Sequence, residues 1–332
     1  MVVKLGSTGL EVSDMGFGCM GMTAFYGAPM EDDAALELLK DVYGMGYTHF
    51  DSAEAYKSQD GKFNEQVIGK FLQTLPRESF TVATKFFPGL HEGKCDAETV
   101  TASFNASLER LGVGHVDLYY CHRMPETIEQ LEDWMRAVKA LVDAGKVKHI
   151  GLSEASPEQI RRAHAIHPIA AIQQEWSVMT RNLEDILVPV CKELDIGIVA
   201  YSPLARNLLC GVDGEAQSDW RSSNVPRYQP EHWEKNVALS KKVVALAESK
   251  GKTASQLSLA WLYEKAKAMG VAMVAIPGTT KPAHAKDNIG SLGTELAAEV
   301  MKDLEELGAS VSGSRGSERY EQMSLEGQLK AL

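Results

Sequence analysis

Hydrophobic and polar positions alternate along the chain in two distinct periods. Short β-branched, apolar runs predict strands at Met15–Gly18, Thr48–Asp51, Thr81–Lys85, Val116–His122, His149–Ser153, Ala171–Glu175, Ile196–Tyr201 and Met273–Pro277. Between them the apolar residues recur every three or four positions, which is the helix period. Ile128, Leu131, Trp134, Met135, Val138, Leu141 and Val142 form one such stripe, and Ile186, Leu187, Val190, Cys191 and Leu194 another. Gly44 and Gly145 are expected to cap two of these helices.

Strands that alternate with helices imply parallel strands joined by crossovers. Eight of them predict a closed (β/α)₈ TIM barrel. An open doubly wound sheet would need a glycine-rich GxGxxG turn after its first strand, and GFGCMGM lacks that phase. The opening KLGSTGLEVSDMGFG predicts an N-terminal β-hairpin around Ser-Thr-Gly, placed to plug the bottom of the barrel. The expected organisation is one domain over residues 1–332, with a barrel core at about 15–310. Two segments exceed the repeat: a long Gly-, Pro- and Ser-rich loop after strand seven, from Ala205 to about Trp233, and a polar tail at about 312–332. The tail is expected to be mobile.

Charge narrows the choice of partner. The 34 Lys and Arg residues against 45 Asp and Glu give a net charge of −11 and a pI near 5.4. A diffuse affinity for nucleic acid or an anionic membrane is therefore not expected, and any phosphate must be held in a local pocket. Five cysteines without a CxxC pair argue against a disulfide framework and for a reducing compartment. No secretory leader and no apolar stretch of ~18 residues is visible, so a cytoplasmic protein is expected.

In a barrel of this kind the functional groups lie at the C-terminal strand ends. Strand two ends in Asp51, with Tyr56 in the loop beyond it. Strand three ends in Lys85 and strand four in His122. Taken singly, each is an ordinary cap or solvated polar group; together they bring a carboxylate, an ammonium, an imidazole and a phenol to one rim. That set suits protonation of a carbonyl oxygen. Lys85 would lower the phenol pKa of Tyr56, Asp51 would hold Lys85 charged, and His122 would orient the carbonyl. A metal at His122 and Asp51 is the alternative, but the ligand set is thin and no HxH or HExxH occurs. No metal is expected.

The motifs FDSAEAY, VATKF, YYCHR, GLSEAS, IQQEWS, AYSPL and IPGTTKPAHAKDN, in this order, resemble the aldo-keto reductases. The likeness is greatest to the plant and microbial branch with perakine reductase-like and auxin-induced-like proteins. The resemblance implies a TIM barrel that reduces a small-molecule aldehyde or ketone with NADPH, or runs the reverse with NADP⁺, using Asp51, Tyr56, Lys85 and His122. It carries the nicotinamide contacts to Ser153, Gln173 and Tyr201, with Met20, Ser202, Leu204 and Arg206 beside the cofactor. Glu154 stands where relatives often have Asn, and Ala205-Arg206-Asn207 replaces a Gly-Arg-Gly pattern. Gly278, Thr279, Thr280, Lys281 and His284 correspond to the loop for the 2′-phosphate, and Asp287 and Asn288 to the adenine edge. Such a loop running into a helix N-terminus is a ready anion site. Phe86, Phe87 and Trp176 are the leading candidates for the substrate pocket, with Trp220, Tyr228 and Trp233 on the long loop. Voltage-gated potassium-channel β subunits resemble the same family, so a nucleotide-sensing interaction subunit is the alternative function.

Overall fold

The computed structural model describes residues 2–212 and 219–330. The chain opens with the predicted antiparallel hairpin, β1 (Val2–Leu5) and β2 (Leu10–Ser13). Eight parallel strands follow: β3 (Phe17–Gly18), β4 (His49–Asp51), β5 (Thr81–Phe86), β6 (Val116–Cys121), β7 (Val147–Ser153), β8 (Ile169–Glu175), β9 (Gly197–Tyr201) and β10 (Met273–Ala275). Each pairs with the next in chain order. The ring closes where Met15 pairs with Ala275, and the Gly16 N–H donates to the Ala275 carbonyl at 2.9 Å. This is the expected TIM barrel.

The crossover helices begin where the sequence supplies a cap. Thr127, Ser156 and Thr253 each accept from a backbone N–H three residues on, and Gln130, Gln159 and Gln256 reach back to close capping boxes. Gly145 takes the left-handed backbone just after its helix, as expected. Gly44 does not: it is the last residue of the helix Asp32–Gly44, and Gly46 (φ +101°) carries the turn. No helix among the described residues is long and apolar enough to cross a membrane.

Strand parity decides which side chains see the site. On β5, Val82 and Phe86 pack outward under the helices, while Ala83 joins the barrel interior, leaving Lys85 to point inward at the top. The hairpin seals the opposite end, where Leu5, Leu10 and Val12 pack against Ala83, Leu118, Ala171, Val199 and Val274. Gly197 permits this, because a Cβ there would stand 2.7 Å from Leu5 Cβ.

Two expectations are corrected. The tail is folded: helices at Glu318–Gln322 and Leu325–Lys330 lie on the barrel, and Arg315 and Leu325 are buried. Its polar composition was misleading because one of its charges, Arg315, pairs with the buried carboxylates Glu154 and Glu175. The long loop is also shorter than expected. It contains a 3₁₀ turn at Ala205–Asn207 and a helix at Trp220–Asn224, and Trp233 already belongs to the helix Pro230–Ser249. Residues 213–218 of that loop lie outside the described residues.

Candidate active site

A cavity of about 980 Å³ opens at the C-terminal ends of the strands. Asp51, Tyr56 and His122 line it, and Lys85 is fully buried behind them. The Lys85 ammonium bonds the Asp51 carboxylate and donates to the Ser52 carbonyl at 2.5 Å. The other Asp51 oxygen accepts from Gln173 Nε2 at 2.7 Å. Lys85 Nζ lies 5.1 Å from the centre of the Tyr56 ring, and the His122 ring meets Tyr56 edge-on at 5.6 Å. The four predicted residues thus converge.

Burial sets their protonation. It would lower the Lys85 pKa, but Asp51 and Tyr56 outweigh it and the net shift is upward, so Lys85 is charged. Burial raises the Tyr56 phenol, and the opposing pull of Lys85 does not overcome it. The expected lowering of the Tyr56 pKa is therefore not found. His122 is driven well below the usual imidazole value by burial, then by Arg123 and Lys85. Its Nδ1 has no partner, so the neutral ring is free to carry its proton on Nε2 and offer it to the cavity. The site is a neutral acid and a neutral donor around a fixed ammonium.

A second stretch of the same cavity has the features of a phosphate site. Gly278, Thr279, Thr280 and Lys281 line it and lead into the helix Pro282–Ile289. Lys281 and His284 are exposed, with Asp287 and Asn288 on the adjoining wall. Asp287 accepts from Thr253 Oγ1 at 2.8 Å. Arg206 reaches the cavity from the Ala205–Asn207 turn, whose three residues all have positive φ of 49°, 56° and 94°. No glycine relieves that run, which makes it a strained backbone held by its surroundings. Arg206 Nε is buried without a partner.

Met20, Gln173, Tyr201, Ser202 and Leu204 also line the cavity. Ser153 is buried at the end of β7, opposite Gln173 in the register, and its hydroxyl is unpartnered. Glu154, standing where relatives often have Asn, does not line the cavity. Its four acceptor positions are filled by Arg315 at 2.9 and 2.7 Å, the Tyr201 hydroxyl at 2.5 Å and the Leu325 N–H at 2.8 Å.

Of the pocket aromatics, Phe87 and Trp220 line the cavity. Phe86 does not: it points outward and stacks on His91 at 4.9 Å. Trp176 is also outward, donating to Glu184 at 3.1 Å. Tyr228 and Trp233 stack on each other away from the wall, with the Tyr228 hydroxyl bonded to the Arg206 carbonyl. Tyr320 and Met323 of the tail and Arg123 line the cavity and were missed. The available signal was Glu154, a buried carboxylate that had to find a cation. Among the described residues no cluster of His, Cys, Asp and Glu could hold a metal.

A family model described as the aldo/keto reductase family matches residues 14–309. The probable aldo-keto reductase 1 of Glycine max is 43% identical over 315 residues, covering 92% of this chain and 87% of that protein. A thermostable aldo-keto reductase solved with the inhibitor epalrestat has a TM-score of 0.74 at 28% identity, over 92% of this chain and 99% of its own. A glycerol dehydrogenase from Gluconobacter oxydans superposes with a TM-score of 0.78, over 93% and 95% of the two chains. At 23% identity that likeness is one of fold alone.

Proposed function

Because the chain belongs to the aldo/keto reductase family, we propose that it reduces aldehydes or ketones to alcohols with NADPH, and catalyses the reverse with NADP⁺. One observation carries this: a buried Lys85–Asp51 pair behind Tyr56 and His122, on a cavity that continues to the loop 278–281 ahead of a helix N-terminus. The 43% identity to a plant relative supports placing it in the plant and microbial branch.

The residues present fit the cofactor. The Gln173 amide on the cavity wall, with the buried Ser153 hydroxyl beside it, suits a carboxamide, Tyr201 offers a ring to stack, and Arg206 has an unused donor for a pyrophosphate. Lys281, beside a helix N-terminus, suits a 2′-phosphate. When bound, the reduced nicotinamide would supply a hydride to the carbonyl carbon. The chain's own contribution is to the oxygen. His122 Nε2–H orients it, and Tyr56 gives it a proton as charge develops. Because the phenol is held protonated, the donor is loaded at neutral pH. Lys85 stabilises the phenolate left behind, and Asp51 and Gln173 keep that ammonium in place.

The test is loss of NADPH absorbance with a panel of aldehydes. Tyr56→Phe should lower turnover about 10²- to 10⁴-fold, the usual range for a general acid, while NADPH binding changes little. Turnover that survives the substitution removes Tyr56 from the role. The sensor alternative has no observation in its favour; the same assay would reveal it as tight NADPH binding with no turnover on any carbonyl.

A further inference from the structure

We propose that the pocket selects carbonyl compounds that carry a carboxylate, with Arg123 as the residue that receives it. This rests on the carbonyl-reductase reading and names the substrate class for that same site.

Arg123 follows His122 directly and lines the cavity beside Tyr56. Its Nη1 donates to the His122 carbonyl at 2.7 Å, which fixes the head of the side chain. Tyr320 of the tail lies under the guanidinium, 5.4 Å from ring centre to cation. Among the described residues Nε and Nη2 make no hydrogen bond and Arg123 forms no ion pair. A guanidinium in an aromatic wall with two free donors in one plane matches a carboxylate bidentately.

Among the described residues no carboxylate stands ready to fill that position. Glu154, whose charge acts on Arg123, is saturated by Arg315, Tyr201 and the Leu325 N–H. Glu175 faces Arg315, Arg206 and Arg227. Of the acids that line the cavity, Asp51 is committed to Lys85 and Gln173, and Asp287 lies on the wall of the phosphate loop and accepts from Thr253. The groups around Arg123 hold it charged against its burial. An anionic substrate group would give its two open donors their partner on binding. Arg319, exposed on the tail at the same cavity, adds positive potential toward the entrance. The wall is thus selectively basic within a chain of net charge −11.

The experiment compares 4-formylbenzoate with its methyl ester, which differ at the charged end and share the reacting aldehyde. With saturating NADPH, the wild-type protein should favour the acid by at least about tenfold in kcat/KM, mainly through KM. Arg123→Gln should bring the acid-to-ester ratio near one, and Arg123→Lys should restore part of it. Thermal melting of each variant checks that it is folded. Benzoate and benzamide binding, measured calorimetrically with NADP⁺ present, gives a readout independent of turnover: benzoate should weaken about tenfold or more in Arg123→Gln, and benzamide should not. Aldehydes reduced without an Arg123-dependent preference for the acid would overturn the inference and leave carbonyl reduction standing. Arg123-dependent benzoate binding without reduction of any aldehyde would do the opposite. Equal losses for acid and ester in a folded variant also overturn it.

Discussion

Lys281 is exposed at the residue just before the helix Pro282–Ile289, and the Thr279 hydroxyl accepts its backbone N–H at 3.1 Å. On the proposed NADPH reading, an ammonium there would meet the 2′-phosphate with help from the helix N-terminus, so its effect should depend on that group. Exchange for Ala is expected to weaken NADPH by about 10- to 100-fold and NADH far less. Equal weakening, measured by fluorescence titration of both nucleotides, would remove Lys281 from that site. Single residues also mark the limit of what the sequence discloses. Asp51, Lys85 and His122 were legible because each lies within one residue of a strand end on the inward parity. The same parity excludes Phe86, next to inward Lys85, and Trp176, next to inward Glu175. Both were misassigned by their aromatic character, although the alternation already turned them outward. The Tyr56 phenol was misjudged for another reason: the charge of Lys85 is readable from the strand ends, but the depth of burial is not.

At the scale of elements, the tail is the part that sequence patterning did not disclose. Its helices are short and polar, and the bond that holds them joins residues 161 positions apart. Arg315 is 3% exposed and bridges Glu154, Glu175 and Glu326. Through it, Tyr320 reaches the Tyr201 hydroxyl at 2.6 Å, so the tail forms a wall of the active site. Arg315→Met would leave Glu154 buried without its cation, at a cost of about 3–5 kcal/mol. Hydrogen exchange should then rise across residues 317–330, and Glu154→Gln added to it should recover part of the protection. Unchanged exchange in the single variant would show that the pair does not hold the tail. Acid should act in the same place. Burial alone would raise the Glu154 carboxyl, but Arg315 outweighs it and holds the group at about 2. A folded value below the unfolded one stabilises the docked tail at neutral pH. That contribution should fade as pH falls from about 4 toward 2.

The whole molecule divides its labour between two ends. The candidate catalytic residues gather at the C-terminal strand ends, and the hairpin seals the other mouth with Leu5, Leu10 and Val12. Leu5→Ala should therefore cost about 2–5 kcal/mol in stability, read by thermal melting, with kcat for a good aldehyde nearly unchanged. A large loss of kcat in the folded variant would mean that the two ends are coupled. The fold class was readable from eight strands in alternation with helices, since each βα unit repeats the same two periods. Ring closure was expected from the same strand count, and it rests on one seam, the pairing of Met15 with Ala275. That seam has a consequence for biosynthesis. Seven of the eight strand junctions join neighbours in chain order and are available as each βα unit leaves the ribosome. The eighth must wait until residue 275 has emerged, so for most of its synthesis the nascent chain is an open sheet with two unpaired edges. During that interval β3 and the most recently made strand are the exposed edges, and the nascent protein is most in need of shielding from other chains.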